Sequence, residues 1–116
     1  MGQASRSQVS LQDRQSTDKL KLSFELLSGP MDGLEFHFDQ DEVAIGRSDT
    51  NDLCIALDNL VSRQHCRIIV AERGIWVEDC TSTNGTYREG VRLEGRTRLK
   101  SGDILRVGLT ELQIKF

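Results

Sequence analysis

Residues 20–26 read Leu20-Lys21-Leu22-Ser23-Phe24-Glu25-Leu26. Apolar side chains occupy every second position and polar ones fill the gaps, which is the period-two pattern of a strand with one face buried. The pattern extends outward from there. Ser28-Gly29-Pro30-Met31-Asp32-Gly33 is a turn that holds the chain's only proline. Leu34, Phe36 and Phe38 then alternate with Glu35 and His37, and polar residues 39–42 turn the chain again. Residues 43–46 and 53–55 predict short strands. Residues 65–71 predict a buried one, with Cys66, Ile68 and Val70 on one face and Arg67 and Ile69 on the other. Glu72-Arg73-Gly74 leads into residues 75–79, which carry the only tryptophan. Asn84-Gly85 is a tight-turn signal, and Glu89-Gly90, Glu94-Gly95 and Ser101-Gly102-Asp103 mark further turns. The last strands are expected at 104–107 and 112–116. No segment sustains a 3.6-residue period, so the expected class is all-β. About ten or eleven short strands at this spacing predict an antiparallel β-sandwich.

Before residue 20 the pattern is absent. Residues 1–19 hold only Met1, Ala4, Val9 and Leu11 as apolar side chains, and they are expected to form a disordered tail. Residues 20–116 are expected to make one domain, since 116 residues amount to less than one average domain length. No apolar run is long enough to span a membrane as a helix, and the N-terminus has no apolar core of a secretory signal. Gly2 is present, but Arg6 stands where a myristoylation signal needs Ser or Thr.

Charge narrows the function classes. Fifteen Lys and Arg face eighteen Asp and Glu, for a net charge of −3. From residue 20 onward twelve cations face sixteen anions, so the expected fold is the acidic part. Direct nucleic-acid binding needs a broad basic field and is not expected. A small focused anion site is compatible with this balance. Eleven of the fifteen cations are Arg, whose planar fork matches carboxylates and phosphates. The three cysteines, Cys54, Cys66 and Cys80, form no C-x-x-C pair. They read as small buried hydrophobes in a reducing, cytoplasmic setting, with no metal site and no cofactor expected.

Three polar loops interrupt the strand pattern: Gly46-Arg47-Ser48, Ser62-Arg63-Gln64-His65 and Thr81-Ser82-Thr83-Asn84-Gly85-Thr86. Taken singly, each has an ordinary explanation. Arg47 reads as a solvated surface residue, Ser62 as a turn cap, His65 as a structural histidine and Asn84-Gly85 as a hairpin turn. Taken together, in this order and with Gly102-Asp103-Ile104-Leu105-Arg106-Val107-Gly108 near the end, they resemble the forkhead-associated (FHA) domain. The resemblance covers residues 20–116. It implies an eleven-stranded β-sandwich whose loops at one end bind phosphothreonine peptides; FHA domains are known readers of phosphorylated motifs. Simple up-and-down alternation of strands would place successive loops at opposite ends, so their clustering comes from the resemblance alone.

Carried onto this chain, the resemblance assigns Arg47, Ser62, Arg63, Thr83 and Asn84 to the phosphopeptide. Arg47 and Ser62 would donate to the phosphate. Arg63 would add a second cation or a backbone N–H, and Thr83 a hydroxyl or backbone donor. Asn84 would hold the ligand backbone. Gly46, His65 and Gly85 are assigned to support of the site: Gly46 to let the chain turn, His65 to brace the Ser62 loop, Gly85 to supply a positive φ. Leu60 is expected to select an apolar residue three positions after the phosphothreonine. The implied partners are a phosphothreonine protein and an upstream Ser/Thr kinase, with no membrane contact. Thr17, the only threonine before residue 20, is a candidate phosphorylation site and hence a candidate route to self-association. A phosphate-independent assembly module is the alternative function. Nothing resembling a nucleophile elbow, a catalytic carboxylate pair or a P-loop is present, so no enzyme activity is expected.

Overall fold

A computed structural model describes residues 21–116. The expected tail, Leu20 and Thr17 lie outside the described residues. Regular structure among the described residues consists of eleven strands: β1 Leu22–Leu26, β2 Glu35–Phe38, β3 Glu42–Gly46, β4 Leu53–Cys54, β5 Cys66–Ala71, β6 Gly74–Asp79, β7 Thr86–Arg88, β8 Val91–Arg92, β9 Thr97–Arg98, β10 Ile104–Val107 and β11 Thr110–Lys115. One sheet has the order β2-β1-β11-β10-β7-β8 and the other β4-β3-β5-β6-β9.

The alternating residues meet between the two sheets. Leu22, Phe24 and Leu26 of β1 are buried, as are Val43 and Ile45 of β3, Cys66 and Ile68 of β5, and Leu112 and Ile114 of β11. Each large side chain removed from water in this way stabilises the fold by about 2 kcal/mol. Phe38 sets its ring edge-on to Phe24 with centroids 5.8 Å apart, the arrangement that aromatic quadrupoles favour.

One feature departs from the expected antiparallel pattern. β3 and β4 pair in parallel, Ile45 opposite Leu53 and Gly46 opposite Cys54. β4 has only two residues, so it does not cross the sandwich. The chain leaves β3, advances two residues alongside its end, and then begins β5 with Cys66 opposite Ile45. The loops on both sides of β4 therefore sit at one end of the sheet. β6 returns to that end, Asp79 opposite Cys66. From there residues 80–85 cross to the other sheet, where Thr86 pairs with Val107. Asn84-Gly85 thus lies on a connection between sheets rather than in a hairpin.

The loops are also stitched together by backbone bonds. Arg47 N–H donates to Ser62 C=O at 2.9 Å and Ser48 N–H to Arg63 C=O at 3.3 Å; Ile55 N–H donates to Gly46 C=O at 2.8 Å. This close approach explains Gly46. Its φ is not in the left-handed region, so the turning role expected from sequence is not what demands glycine. A Cβ at Gly46 would lie 2.1 Å from the Arg63 carbonyl oxygen and 2.7 Å from Asn51 Nδ2. Backbone yields to such an overlap only by parting the two loops. Gly46→Ala is expected to cost about 3 kcal/mol, the upper end of overpacking penalties. Urea denaturation checks this: the midpoint should fall with the slope unchanged.

Candidate functional site

The three polar loops meet at the end of the sandwich where β3 stops, and one histidine joins two of them. His65 is fully buried. Ser62 N–H donates to its Nδ1 at 3.0 Å, so Nδ1 must carry a lone pair. The proton is then on Nε2, which donates to Gly85 C=O at 2.9 Å. Cys80 N–H donates to the His65 carbonyl at 2.9 Å. The imidazole therefore links residues 62–65 to residues 80–85 only while it is neutral. Burial holds its pKa below the usual histidine range, outweighing its bond to Gly85 and the nearby charges of Asp79 and Asp58.

Asp79 organises the 80–85 loop from below. Its carboxylate accepts Ser82 N–H at 2.9 Å and Thr86 Oγ1–H at 2.7 Å, and it also accepts the Ser82 hydroxyl. Burial alone would raise its pKa, but these hydrogen bonds hold it below the usual carboxylate range. Ser82 Oγ in turn accepts Gly85 N–H at 3.0 Å. Gly85 has a φ of +85°, a conformation that L side chains adopt only with strain.

On this frame stand the residues assigned from sequence. Ser62 Oγ accepts Thr83 N–H at 2.9 Å, which leaves the Ser62 hydroxyl proton as a donor. The same bond occupies the Thr83 N–H, so Thr83 presents its exposed hydroxyl rather than its backbone. Arg47 donates Nε–H to Val61 C=O at 2.9 Å. That bond anchors one edge of the guanidinium, and among the described residues no carboxylate pairs with it. Arg63 is exposed and likewise has no carboxylate partner among the described residues. Asn84 donates Nδ2–H to Leu60 C=O at 2.9 Å, leaving Oδ1 to accept from a ligand backbone. Arg47, Ser62, Arg63, Thr83 and Asn84 are thus brought to one end, on a frame held by His65 and Gly85.

Sequence reasoning missed the residues beneath this surface. Asp58, fully buried, accepts Leu60 N–H at 3.0 Å on Oδ1; on Oδ2 it accepts Leu109 N–H at 2.8 Å and the Thr110 hydroxyl at 2.7 Å. One carboxylate therefore sets Leu60 and Leu109 side by side, and both are exposed, at 46% and 60%. Asn51 donates Nδ2–H to Ser48 C=O and Arg63 C=O at 2.8 and 2.6 Å. An Asp at a strand end followed three residues on by Ser, as in Asp79 and Ser82, was a legible turn signal. Asp58 carries an Asx-turn signal toward Leu60 but none toward Leu109, 51 residues away.

The fold and site define a β-sandwich module whose end loops bring guanidinium, hydroxyl and amide groups together. Residues 43–108 match the FHA domain family, and the chain belongs to it. FHA domains are non-catalytic phosphopeptide-binding modules. The FHA domain-containing protein FhaB of Mycobacterium tuberculosis is 30% identical over 87 residues, 75% of this chain and 56% of that protein; the chain thus spans little more than half its length. The FHA domain of the CT664 protein from Chlamydia trachomatis superposes with a TM-score of 0.75 at 26% identity, covering 84% of this chain and 98% of that one. An FHA domain studied for phosphothreonine-dependent interactions gives a TM-score of 0.73 at 25% identity, covering 84% and 97%.

The histidine bridge has a pH signature. A folded-state pKa below 6.5 means that the unfolded chain takes up the proton first. The stability this group contributes is present above pH 6.5 and is lost as pH falls through the folded value. The urea midpoint should decline below pH 6.5. Nitrogen-15 imidazole shifts should show His65 neutral and protonated on Nε2 at pH 7, and at each lower pH less protonated than a histidine of the unfolded chain.

Proposed function

We propose that this chain reads phosphothreonine in an extended peptide, as a non-catalytic adaptor downstream of a Ser/Thr kinase. The observation that carries the reading is the convergence of Arg47, Ser62 and Thr83 donors beside Asn84. Two arginines there lack a carboxylate partner among the described residues, within a fold that is acidic overall. A phosphate dianion supplies the acceptors these donors need. Leu60, now beside Leu109, supports the expected apolar preference three residues after the phosphothreonine. The chemistry suits a reducing cytoplasmic compartment, where the free thiols Cys54, Cys66 and Cys80 persist.

Arg47→Ala is expected to weaken a phosphothreonine peptide by about 2–4 kcal/mol. Asn84→Ala should weaken the peptide while sparing the feeble binding of free phosphothreonine. Calorimetry with the phosphorylated peptide, its phosphoserine counterpart and the unphosphorylated chain measures both. Equal affinity for phosphorylated and unphosphorylated peptide would sink the reading and leave the phosphate-independent assembly module.

The same site accommodates a second copy of the chain. Phosphorylated Thr17 would place Leu20 at the apolar position. β1 enters at the end opposite the loops, since Ser23 pairs with Lys115 and Leu26 with Leu112. The four Cα-to-Cα steps from Thr17 to Lys21 reach at most about 14 Å, whereas a six-residue strand runs about 20 Å. Any such engagement is therefore with a neighbouring molecule, head to tail, and open-ended. Light scattering of Thr17-phosphorylated protein should show mass rising with concentration and reverting in Arg47→Ala. A phosphoprotein that stays monomeric throughout rules self-association out.

A further inference from the structure

Beside the Thr83-Asn84-Gly85 loop, on the side that β7 and β8 form, a second cationic feature is built into the sheet. A Cβ on Gly85 would come 2.6 Å from Arg92 Nε and 2.9 Å from its Cζ, so the Arg92 guanidinium lies directly against the loop. Tyr87 pairs across the strands with Arg92 on one side and with Arg106 on the other. The three side chains therefore form a row on the outward face of their sheet. Arg106 stacks over the Tyr87 ring, 4.0 Å from its centroid, which holds it in that row.

Three other arginines are committed, whereas Arg73 and Arg98, around the β5–β6 turn, lack a carboxylate partner among the described residues, as do Arg47 and Arg63. Arg67 pairs with Glu42 and Glu78, Arg96 with Glu78, and Arg88 with Asp103. Arg92 and Arg106 have no carboxylate partner among the described residues. Glu111 stands opposite Arg106 in the register without forming an ion pair to it. An open cavity of about 250 Å³ adjoins Arg92, lined by Arg88, Val91, Arg92, Leu93, Glu94 and Thr97. Glu94 pairs with neither arginine, so the Arg92 charge is left for an external anion.

Resting on the phosphothreonine reading above, we propose that Arg92, with Arg106 across Tyr87, forms a second anion subsite for the same ligand. Its occupant is a carboxylate or phosphate side chain two to four residues from the phosphothreonine, at a position other than the one three residues after it, which faces Leu60. The reach follows from the chain. Thr83 to Gly85 spans at most about 7 Å, and the Arg92 head lies within 3 Å of where a Gly85 Cβ would be. An extended ligand rises about 3.3 Å per residue, so roughly three residues bridge the two sites.

The test is calorimetry on a phosphothreonine peptide with alanine at the second, third and fourth positions on both sides, replaced one at a time by Asp or phosphoserine. One position, other than the third after the phosphothreonine, is expected to tighten binding five- to tenfold, with the Asp and phosphoserine arms showing which anion is preferred. The gain should vanish in Arg92→Gln, persist in Arg92→Lys and shrink in Arg106→Gln, whose side chain does not touch Gly85. The all-alanine phosphopeptide should bind wild type and Arg106→Gln within twofold. A gain at no position, or only at the third after the phosphothreonine, overturns the subsite, as does a full gain retained in Arg92→Gln. If Arg92→Gln also weakens the all-alanine peptide, Arg106→Gln decides: an undiminished gain there overturns it. An all-alanine phosphopeptide that fails to bind wild type overturns the phosphothreonine reading itself, and the subsite with it.

Discussion

The surface at the loop end depends on an imidazole that carries no charge. His65 accepts from the Ser62 backbone through one nitrogen and donates to the Gly85 carbonyl through the other. Only the neutral ring with its proton on Nε2 can do both. Lys or Arg cannot accept, and a carboxylate cannot donate when ionised. The bridge places the Ser62 hydroxyl where Thr83 N–H reaches it, and so sets the spacing between the Ser62 and Thr83 hydroxyls. Burial does the electrostatic work, since it makes the charged ring costly and keeps the bridging form in place at neutral pH.

Around that bridge, carboxylates organise loops rather than neutralise arginines. Asp58 and Asp79 spend their oxygens on backbone N–H groups and hydroxyls. Each thereby satisfies loop donors that would otherwise be orphaned away from water. The arginines that carboxylates do engage, Arg67, Arg88 and Arg96, leave Arg47 and Arg63 at the loop end, Arg92 and Arg106 beside it, and Arg73 and Arg98 around the β5–β6 turn unclaimed among the described residues. A chain of net charge −3 thus keeps uncompensated cations at the loop end, while its overall field stays unfavourable to nucleic acid.

The two-residue strand β4 is the topological counterpart of the histidine bridge. An antiparallel strand of ordinary length would have carried the chain to the opposite end and separated Arg47 from Ser62. Because β4 advances only two residues in parallel, the loops before and after it share one end. Gly46 then becomes a site of contact: the Arg63 carbonyl occupies the space a side chain would need.

Alternation such as Leu22, Phe24 and Leu26 already specifies the strands, and Arg47, Ser62, Thr83 and Asn84 specify the donor types. Both are local properties, set by period and turn chemistry within a few residues. Strand order decided the rest. The parallel placement of β4, the joint hold of Asp58 on Leu60 and Leu109, the tautomer of His65 and the seat of Arg92 against Gly85 all join residues distant along the chain. Such contacts are selected by which strands share an end and a face, and no short window of sequence encodes that choice.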